Sequence, residues 1–303
     1  MKPVIVGAGL AGLLAAHAWP NLEVLEVASA PAQLHKAVLR FRTEAVSSLT
    51  GIPFRRVTVH KGIWSASKMH TACTIPLANA YAQKVLGRLA GERSVWNLSA
   101  VERFIAPESF YADLVEAART RITWNYNANF ADFTCPIIST APLPVALRHL
   151  DVATTTQFDR APIQVVRLRV PGADVFQTVY FPDADCPLYR ASITGSLLTL
   201  EATSGVATKE WLPRALVLVQ RAFAVKDPET LDSGEQKYGK IAPIPDQERK
   251  RLLYELTHAH KIYSLGRFAT WRNVLLCDLI NDIAVIKRLM RADTKYDLLH
   301  AAA

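Results

Sequence analysis

The chain opens on a strand-like run, Pro3-Val-Ile-Val, that breaks at once into Gly7-Ala-Gly9-Leu-Ala-Gly12 and continues from Leu10 to Trp19 at helical Ala and Leu density. Strand, glycine turn and helix in that order leave few folds open, because each glycine answers a separate steric demand. Gly7 allows the tight turn, Gly9 lets the backbone approach a pyrophosphate, and Gly12 lets the helix pack closely on the strand. The helix N-terminus, with the amides of Leu10, Ala11 and Gly12, offers donors and the positive end of a dipole to an anion. A second strand, Leu22 to Glu26, ends in an acid 19 residues beyond Gly7. At that spacing the Glu26 carboxylate is placed to take both hydroxyls of an adenosine ribose. The expected element is a βαβ unit that binds a dinucleotide.

FAD and nicotinamide dinucleotides both use this fingerprint, and the organisation of the rest of the chain favours FAD. Instead of repeating βαβ units, the sequence turns into a basic, irregular stretch, from Leu39-Arg-Phe-Arg42 through Arg55-Arg-Val-Thr-Val-His-Lys61. Later segments must then complete the nucleotide fold. One is Phe133 to Pro142, an apolar strand ending in small residues and prolines, with Ala141 as a candidate cofactor contact. Another is Lys261 to Arg267, a strand ending at Gly266, followed by an amphipathic helix from Leu275 to Met290. The expected fold class is α/β: a glutathione-reductase-like, Rossmann-type FAD-binding fold with an inserted antiparallel-sheet and helical substrate domain. Its expected FAD-binding part comprises residues 1–38, 131–155 and 260–303, with 39–130 and 156–259 as substrate-binding and helical insertions.

Within the insertions, helices are expected at Ala78 to Leu89, Ser109 to Arg119, Lys209 to Phe223 and Pro245 to His258. Strands are expected at Ile163 to Arg169, Val175 to Phe181, Leu188 to Ile193 and Leu197 to Glu201, where apolar residues alternate between turn signals. Lys226 to Lys240 reads as a polar, mobile surface loop. Cys73, Cys135, Cys186 and Cys277 are far apart and lack C-x-x-C or His-pair spacing, so neither zinc nor a disulfide framework is indicated, and no metal site is expected. The short apolar run after Lys2 does not read as a signal peptide, and no stretch of 18 apolar residues follows, so a cytoplasmic protein without membrane contact is expected. Lys and Arg number 35 against 27 Asp and Glu, a formal charge of +8, which points to an anionic partner or simply to a basic surface.

The run Leu265-Gly-Arg-Phe-Ala-Thr-Trp-Arg-Asn-Val-Leu-Leu-Cys-Asp278 resembles the flavin-closing motif of UDP-galactopyranose mutases and, more loosely, of amine oxidases. The resemblance implies that Gly266 and Arg267 approach FAD, that Trp271 and Arg272 take the aromatic-Arg place, and that amides near Leu275 and Leu276 face the pyrimidine edge of the flavin. Tyr180-Phe-Pro-Asp183 with Leu188-Tyr-Arg190 resembles a second segment of the superfamily, which implies that Arg190 lies near the substrate. Where the mutases carry paired glycines after the ribose acid, this chain has Ala28-Ser-Ala-Pro31, and it is shorter than a typical mutase. The set Leu39 to Arg42, Gly51 to Lys61, Gln236 to Pro243 and Ile262 to Trp271 is similar to compact flavoproteins of tailed phages, some of which accompany thymine hypermodification. That similarity implies an FAD-dependent oxidoreductase or lyase acting on a C–N bond of an amino-acid-modified thymine in DNA, in the cytoplasm of an infected host. A glycine-type adduct would lose its fragment and leave an aminomethyl base. The alternatives are a redox-neutral mutase of a sugar nucleotide, with flavin N5 as nucleophile, and a non-catalytic flavin-binding module.

For amine oxidation the protein must orient the C–H bond at the flavin, hold the substrate's anion and manage a proton. Arg190, Arg272 and His60 are the candidates, since the arginine fork suits carboxylate and phosphate and histidine titrates near neutrality. Arg190 equally reads as a sheet ion pair, and His60 as a hydrogen-bonded strand residue. For DNA, Arg40, Arg42, Arg55, Arg56, Lys61 and Lys68 are the candidate phosphate contacts, with Phe41, Phe54 and Trp64 interleaved as stacking rings. The other reading places those rings in the core and the charges on a solvated face.

Overall fold

The computed structural model describes residues 2–31, 38–89, 94–203 and 205–301, with side chains up to residue 293. Met1, residues 32–37 and residues 302–303, all within the expected nucleotide segments, lie outside the described residues. The first part of the chain runs β1 (Val4–Val6), α1 (Leu10–Ala18), β2 (Glu23–Leu25), β3 (Arg40–Phe41), α2 (Ala45–Thr50), β4 (Arg55–Ser65), β5 (Lys68–His70) and α3 (Ile75–Leu86). The middle runs β6 (Val101–Ile105), α4 (Phe110–Ala118), β7 (Ile122–Thr123), β8 (Ile137–Ser139), α5 (Leu143–His149), β9 (Arg160–Arg169) and β10 (Val175–Tyr180). The last part runs β11 (Leu188–Gly195), β12 (Leu197–Thr203), α6 (Thr208–Phe223), β13 (Glu229–Ile241), α7 (Asp246–His260), β14 (Ile262–Ser264) and α8 (Leu279–Ala301).

These elements build two sheets. The first has five parallel strands in the order β14-β8-β1-β2-β7. Its alternating side chains explain why it is covered on both faces. Ile5, Val24, Ile138 and Tyr263 pack against α1, α4 and α8 through Leu13, Leu14, Phe110, Leu114, Ile283 and Ile286. Val6, Ile137 and Ile262 pack on the other side against α5 and α7 through Leu143, Leu147, Leu252 and Leu256. Each such Leu, Ile or Phe stabilises the sheet by about 1.5–3 kcal/mol.

The second sheet runs β13-β9-β12-β11-β10-β4-β6-β3, with β5 hairpinned onto β4. Its strands pair antiparallel except β10 with β4, which run parallel. One face is apolar: Val166, Leu168, Val179, Ala191, Ile193, Leu198 and Leu200 lie under Trp211, Ala215 and Val219 of α6. The other face is polar. On β11 it presents Arg190, Ser192 and Thr194, flanked in register by Tyr180, Thr178 and Phe176 on β10 and by Glu201, Thr199 and Leu197 on β12. The sheet curls toward this face, because Arg40 on edge strand β3 reaches across to Thr178 Oγ1 (2.7 Å), Thr194 Oγ1 (2.9 Å) and the carbonyls of Gln177 and Ile193.

The fold class is the expected one, and several details differ. The basic stretch from Arg55 to Lys61 is not irregular but the first half of β4, since Val57, Val59 and Ile63 alternate inward. Lys226 to Lys240 is not a mobile loop but largely β13, fastened along β9 from Glu229 to Ile241 despite its polar composition. Helix α3 starts earlier than expected and ends at Gly87, whose φ of 66° closes it in a left-handed cap. The expected limits of the nucleotide part also move. Within 39–130, α4 packs on α1 and β7 is the edge strand beside β2, while α7, within 156–259, covers β14.

Candidate cofactor and substrate site

The glycine turn is built as its spacing requires. Gly7 has φ +103°, and Thr140, at the end of β8, hydrogen-bonds through Oγ1 to Val6 O and fills the space where a Gly7 side chain would lie. A methyl group on Gly12 would overlap the Gly7 carbonyl oxygen, so strand and helix touch there. At Gly9 an added methyl meets nothing within 4 Å, which leaves an open cradle at the head of α1. The leading amides of α1, from Leu10, Ala11 and Gly12, face that cradle's end of the helix without intrahelical partners. Glu26 closes the other side: its carboxylate accepts from Ala8 N within the turn and from Ala28 N at 2.9 Å.

The third wall comes from the distant end of the chain. Gly266, with φ +97°, follows β14 and stands so close to α1 that a methyl on it would lie 3.0 Å from Ala11 Cβ. Ala141, two residues past β8, is partly buried against the core cluster that includes Val6 and Leu143. Ser139 Oγ and Arg267 Nε, which flank the turn, are buried with no hydrogen-bond partner among the described residues. An open cradle, free helix amides, a carboxylate at Glu26 bridging Ala8 and Ala28, and orphaned polar atoms together fit a dinucleotide such as FAD. Leu275, whose amide was expected to face the flavin, instead donates to Asp278 Oδ2 at 2.8 Å, and Leu276 opens the short 3-10 turn ahead of α8.

Next to Gly266, Arg267 comes near Tyr189 and Arg190 on the polar face of the curled sheet, where two irregularities gather side chains. A bulge between Leu188 and Arg190 lets Tyr189 and Arg190 both reach Glu201 on β12. Arg190 donates to Glu201 through Nε and through Nη2, the latter at 2.6 Å. On β13 the register with β9 slips between Gln236 and Lys240, and Gly239 permits it, since any side chain there would collide with Ile163. The slip delivers Lys240, whose Nζ stands 4.8 Å from the centre of the Tyr189 ring.

The cluster is cation-rich. Burial works against the Arg190 charge, but Glu201 more than offsets it and holds the guanidinium's pKa above its ordinary value. Burial, with Arg190 and Arg267 nearby, brings Lys240 down to about 8 against the pull of Glu201. Arg267 is likewise lowered, by burial first and by Arg190. Tyr81, on α3, and Tyr189 are pushed up by burial and stay neutral phenols. Arg190 and Lys240 thus share one carboxylate with Arg267 beside them, which is an unbalanced arrangement unless a ligand brings negative charge.

The sequence candidates divide accordingly. Arg190 and Arg267 meet in this cluster. His60 does not: it pairs in register with Gln177, so it occupies the face opposite Arg190 and is exposed. Arg272 is tied to Asp282 of α8, and Trp271 is buried, with its indole N–H on Ala242 O. The candidate phosphate contacts are mostly occupied. Arg40 is the buried sheet clamp, its pKa lowered by burial to about 10; Arg55 pairs with Asp174, Arg56 with Glu102, and Lys61 with Asn97 O. Arg42 and Lys68 are exposed. Phe41 and Phe54 stack with Phe110 in the core, and Trp64 packs under the sheet, so none of the three is a free stacking platform. Sequence reasoning missed Glu201, Tyr189 and Lys240. The one signal for Glu201 was an acid closing an otherwise apolar strand, and Tyr238-Gly-Lys240 carried none by itself.

Among the described residues, no three His, Cys, Asp or Glu side chains gather as metal ligands, and no helix is long and apolar enough to cross a membrane.

No protein-family model and no curated protein matches the chain. Solved structures do. Reduced UDP-galactopyranose mutase is similar over 96% of this chain and 96% of its own, at TM-score 0.67 and 16% identity. A geranylgeranyl bacteriochlorophyll reductase-like protein from Thermoplasma acidophilum is similar over 98% of this chain and 79% of its own, at TM-score 0.58 and 11% identity. The rebeccamycin enzyme RebC with bound 7-carboxy-K252c is similar over 95% of this chain and 60% of its own, at TM-score 0.54 and 11% identity. At these identities the likeness is one of fold: the chain has the Rossmann-type architecture of FAD-binding flavoproteins.

Proposed function

We propose that the chain is an FAD-dependent enzyme that oxidises a C–N bond in a carboxylate-bearing amino-acid adduct of a pyrimidine base, with DNA as the carrier of that base. The observation that carries this reading is the surplus of positive charge at Arg190, Lys240 and Arg267, opposite the Gly266 turn. Such a cluster suits the carboxylate of an N-linked glycine, held so that its N–CH2 carbon faces the cofactor. FAD, when bound, supplies acceptance of a hydride equivalent from that carbon; the substrate imine then takes up water, releases the two-carbon fragment and leaves an aminomethyl base. Gly7, Gly9, Leu10, Ala11, Gly12, Glu26, Ala141, Gly266, Arg267 and Leu276 would hold the dinucleotide. A base in duplex DNA would have to be turned out of the stack to reach the cluster, with exposed Arg42 and Lys68 available to phosphates.

The test is anaerobic mixing of the flavin-loaded protein with DNA carrying the glycine-type adduct. Bleaching of the flavin, together with aminomethyl nucleoside in the digested DNA by mass spectrometry, is the expected result. A second reading, a redox-neutral mutase of a sugar nucleotide, is favoured by the likeness to UDP-galactopyranose mutase along nearly the whole of both chains. Turnover of a sugar nucleotide only after prior reduction of the flavin would replace the first reading with the second. A flavin-loaded protein inert in both assays would leave the non-catalytic module.

A further inference from the structure

An N-substituted glycine is protonated at neutral pH, and an ammonium nitrogen has no lone pair with which to form an imine. The site proposed above therefore needs a proton acceptor, and most of its groups are disqualified by their partners. Glu201 is engaged by both arms of Arg190 and by the Tyr189 hydroxyl. Arg190 and Arg267 carry no lone pair to offer, the phenols of Tyr81 and Tyr189 titrate far too high to accept, and His60 lies on the opposite face of the sheet. Lys240 remains. Its amine lies against the π face of Tyr189 and makes no hydrogen bond or ion pair among the described residues, so in its neutral form, reached from about pH 8, the lone pair has no competing partner.

Resting on the C–N reading, we infer that Lys240 is the catalytic base, taking the proton of the substrate ammonium onto Nζ before the C–H bond breaks. The step balances without a redox change: R–NH2⁺–CH2–COO⁻ and Lys240–NH2 become R–NH–CH2–COO⁻ and Lys240–NH3⁺. Hydride loss then leaves R–NH⁺=CH–COO⁻, whose hydrolysis gives R–NH3⁺ and OHC–COO⁻ with no further proton, so Lys240–NH3⁺ releases its proton to solvent. Burial first, then Arg190 on β11 and Arg267 after β14, disfavour the charge that Lys240 acquires, and against the pull of Glu201 on β12 they bring the amine to about 8, close to the working range of a base. The β9 residue opposite Lys240, Ala161, carries no charge.

The experiment follows flavin reduction in single turnovers, under anaerobic conditions, with DNA carrying 5-(carboxymethylaminomethyl)-2′-deoxyuridine as the probe. In the wild type the reduction rate should climb to a plateau with an apparent pKa near 8. Lys240→Met and Lys240→Arg should each lower it by ~10²–10⁴-fold at neutral pH with flavin content unchanged, and added methylamine should restore part of the rate to Lys240→Met. Thermal melting provides a readout independent of turnover. Because folding lowers the lysine's pKa, the wild type holds an ill-placed charge below pH 8, and this cost disappears as pH rises toward the unfolded value. Lys240→Met should therefore melt above the wild type at pH 7, with the gap closing between pH 8 and about 10.5. Variants with wild-type rates and pH profile, or a melting gap independent of pH, would overturn the role of Lys240 and leave the C–N reading standing. A flavin-loaded wild type that the probe never bleaches would remove that reading, and this base with it.

Discussion

Gly9 and Gly12 stand three positions apart and respond to a side chain in opposite ways. Gly9 borders open space at ordinary φ, whereas a methyl on Gly12 would run into the Gly7 carbonyl. Gly9→Val should therefore give a soluble, cooperatively melting protein whose flavin content, read from absorbance at matched protein, falls at least ~10-fold as the pyrophosphate loses its approach. Gly12→Ala should instead lose roughly 1–3 kcal/mol or more of stability through overpacking, seen in chemical denaturation of the apoprotein. A Gly9→Val protein with full flavin would show that the cradle has another use. These roles were legible in the sequence because the turn, its helix and Glu26 are local, set by spacing along some twenty residues. Lys240 and Glu201 were not, because their neighbours come from strands tens of residues away and their aim depends on two bulges that no local pattern announces.

Elements show the same division. Strands β9 to β12 were legible from their alternation, since one of their faces is apolar along its whole length. β13 was not, because its residues are largely polar and glycine appears twice; it is a strand on account of pairing with β9, an instance of context overriding propensity. β3 is two residues long, yet through Arg40 it closes the curl of the sheet. One of the six candidate phosphate contacts is thus a clamp satisfied by neutral oxygens. Arg40→Met should lower stability by about 1–3 kcal/mol in denaturant titration, as the carbonyls and hydroxyls it serves lose their donor. The salt dependence of any DNA binding should be the same in this variant as in the wild type. A shallower salt slope would mean that Arg40 does neutralise a phosphate.

At the scale of the whole molecule, the chain passes four times between its two sheets: after β2, after β6, after β8 and after β13. Neither sheet is continuous in sequence, and the parallel sheet takes its edge strand β14 from residues 262–264, laid against β8. A protein ending at residue 261 would lack β14 and α8, and with them Tyr263, Leu265, Ile283 and Ile286 of the core. It should show no cooperative thermal transition by circular dichroism; a sharp melt in that truncated form would mean that the curled sheet is stable by itself. The overall architecture was legible because strand-ending glycines mark both ends of the nucleotide fold, whereas the placement of α4, β7 and α7 was not, since their apolar faces do not declare which sheet they cover.

The late arrival of β14 has a consequence for how the protein comes into being. During synthesis the glycine turn leaves the ribosome while Gly266, the wall that faces it across the cradle, is still hundreds of codons from being translated. A nascent chain can shape the turn early but lacks the facing wall, so loading is postponed until the Gly266 segment has emerged. β14 is then both a late piece of the scaffold and the element that ties cofactor retention to both walls of the cradle having been made.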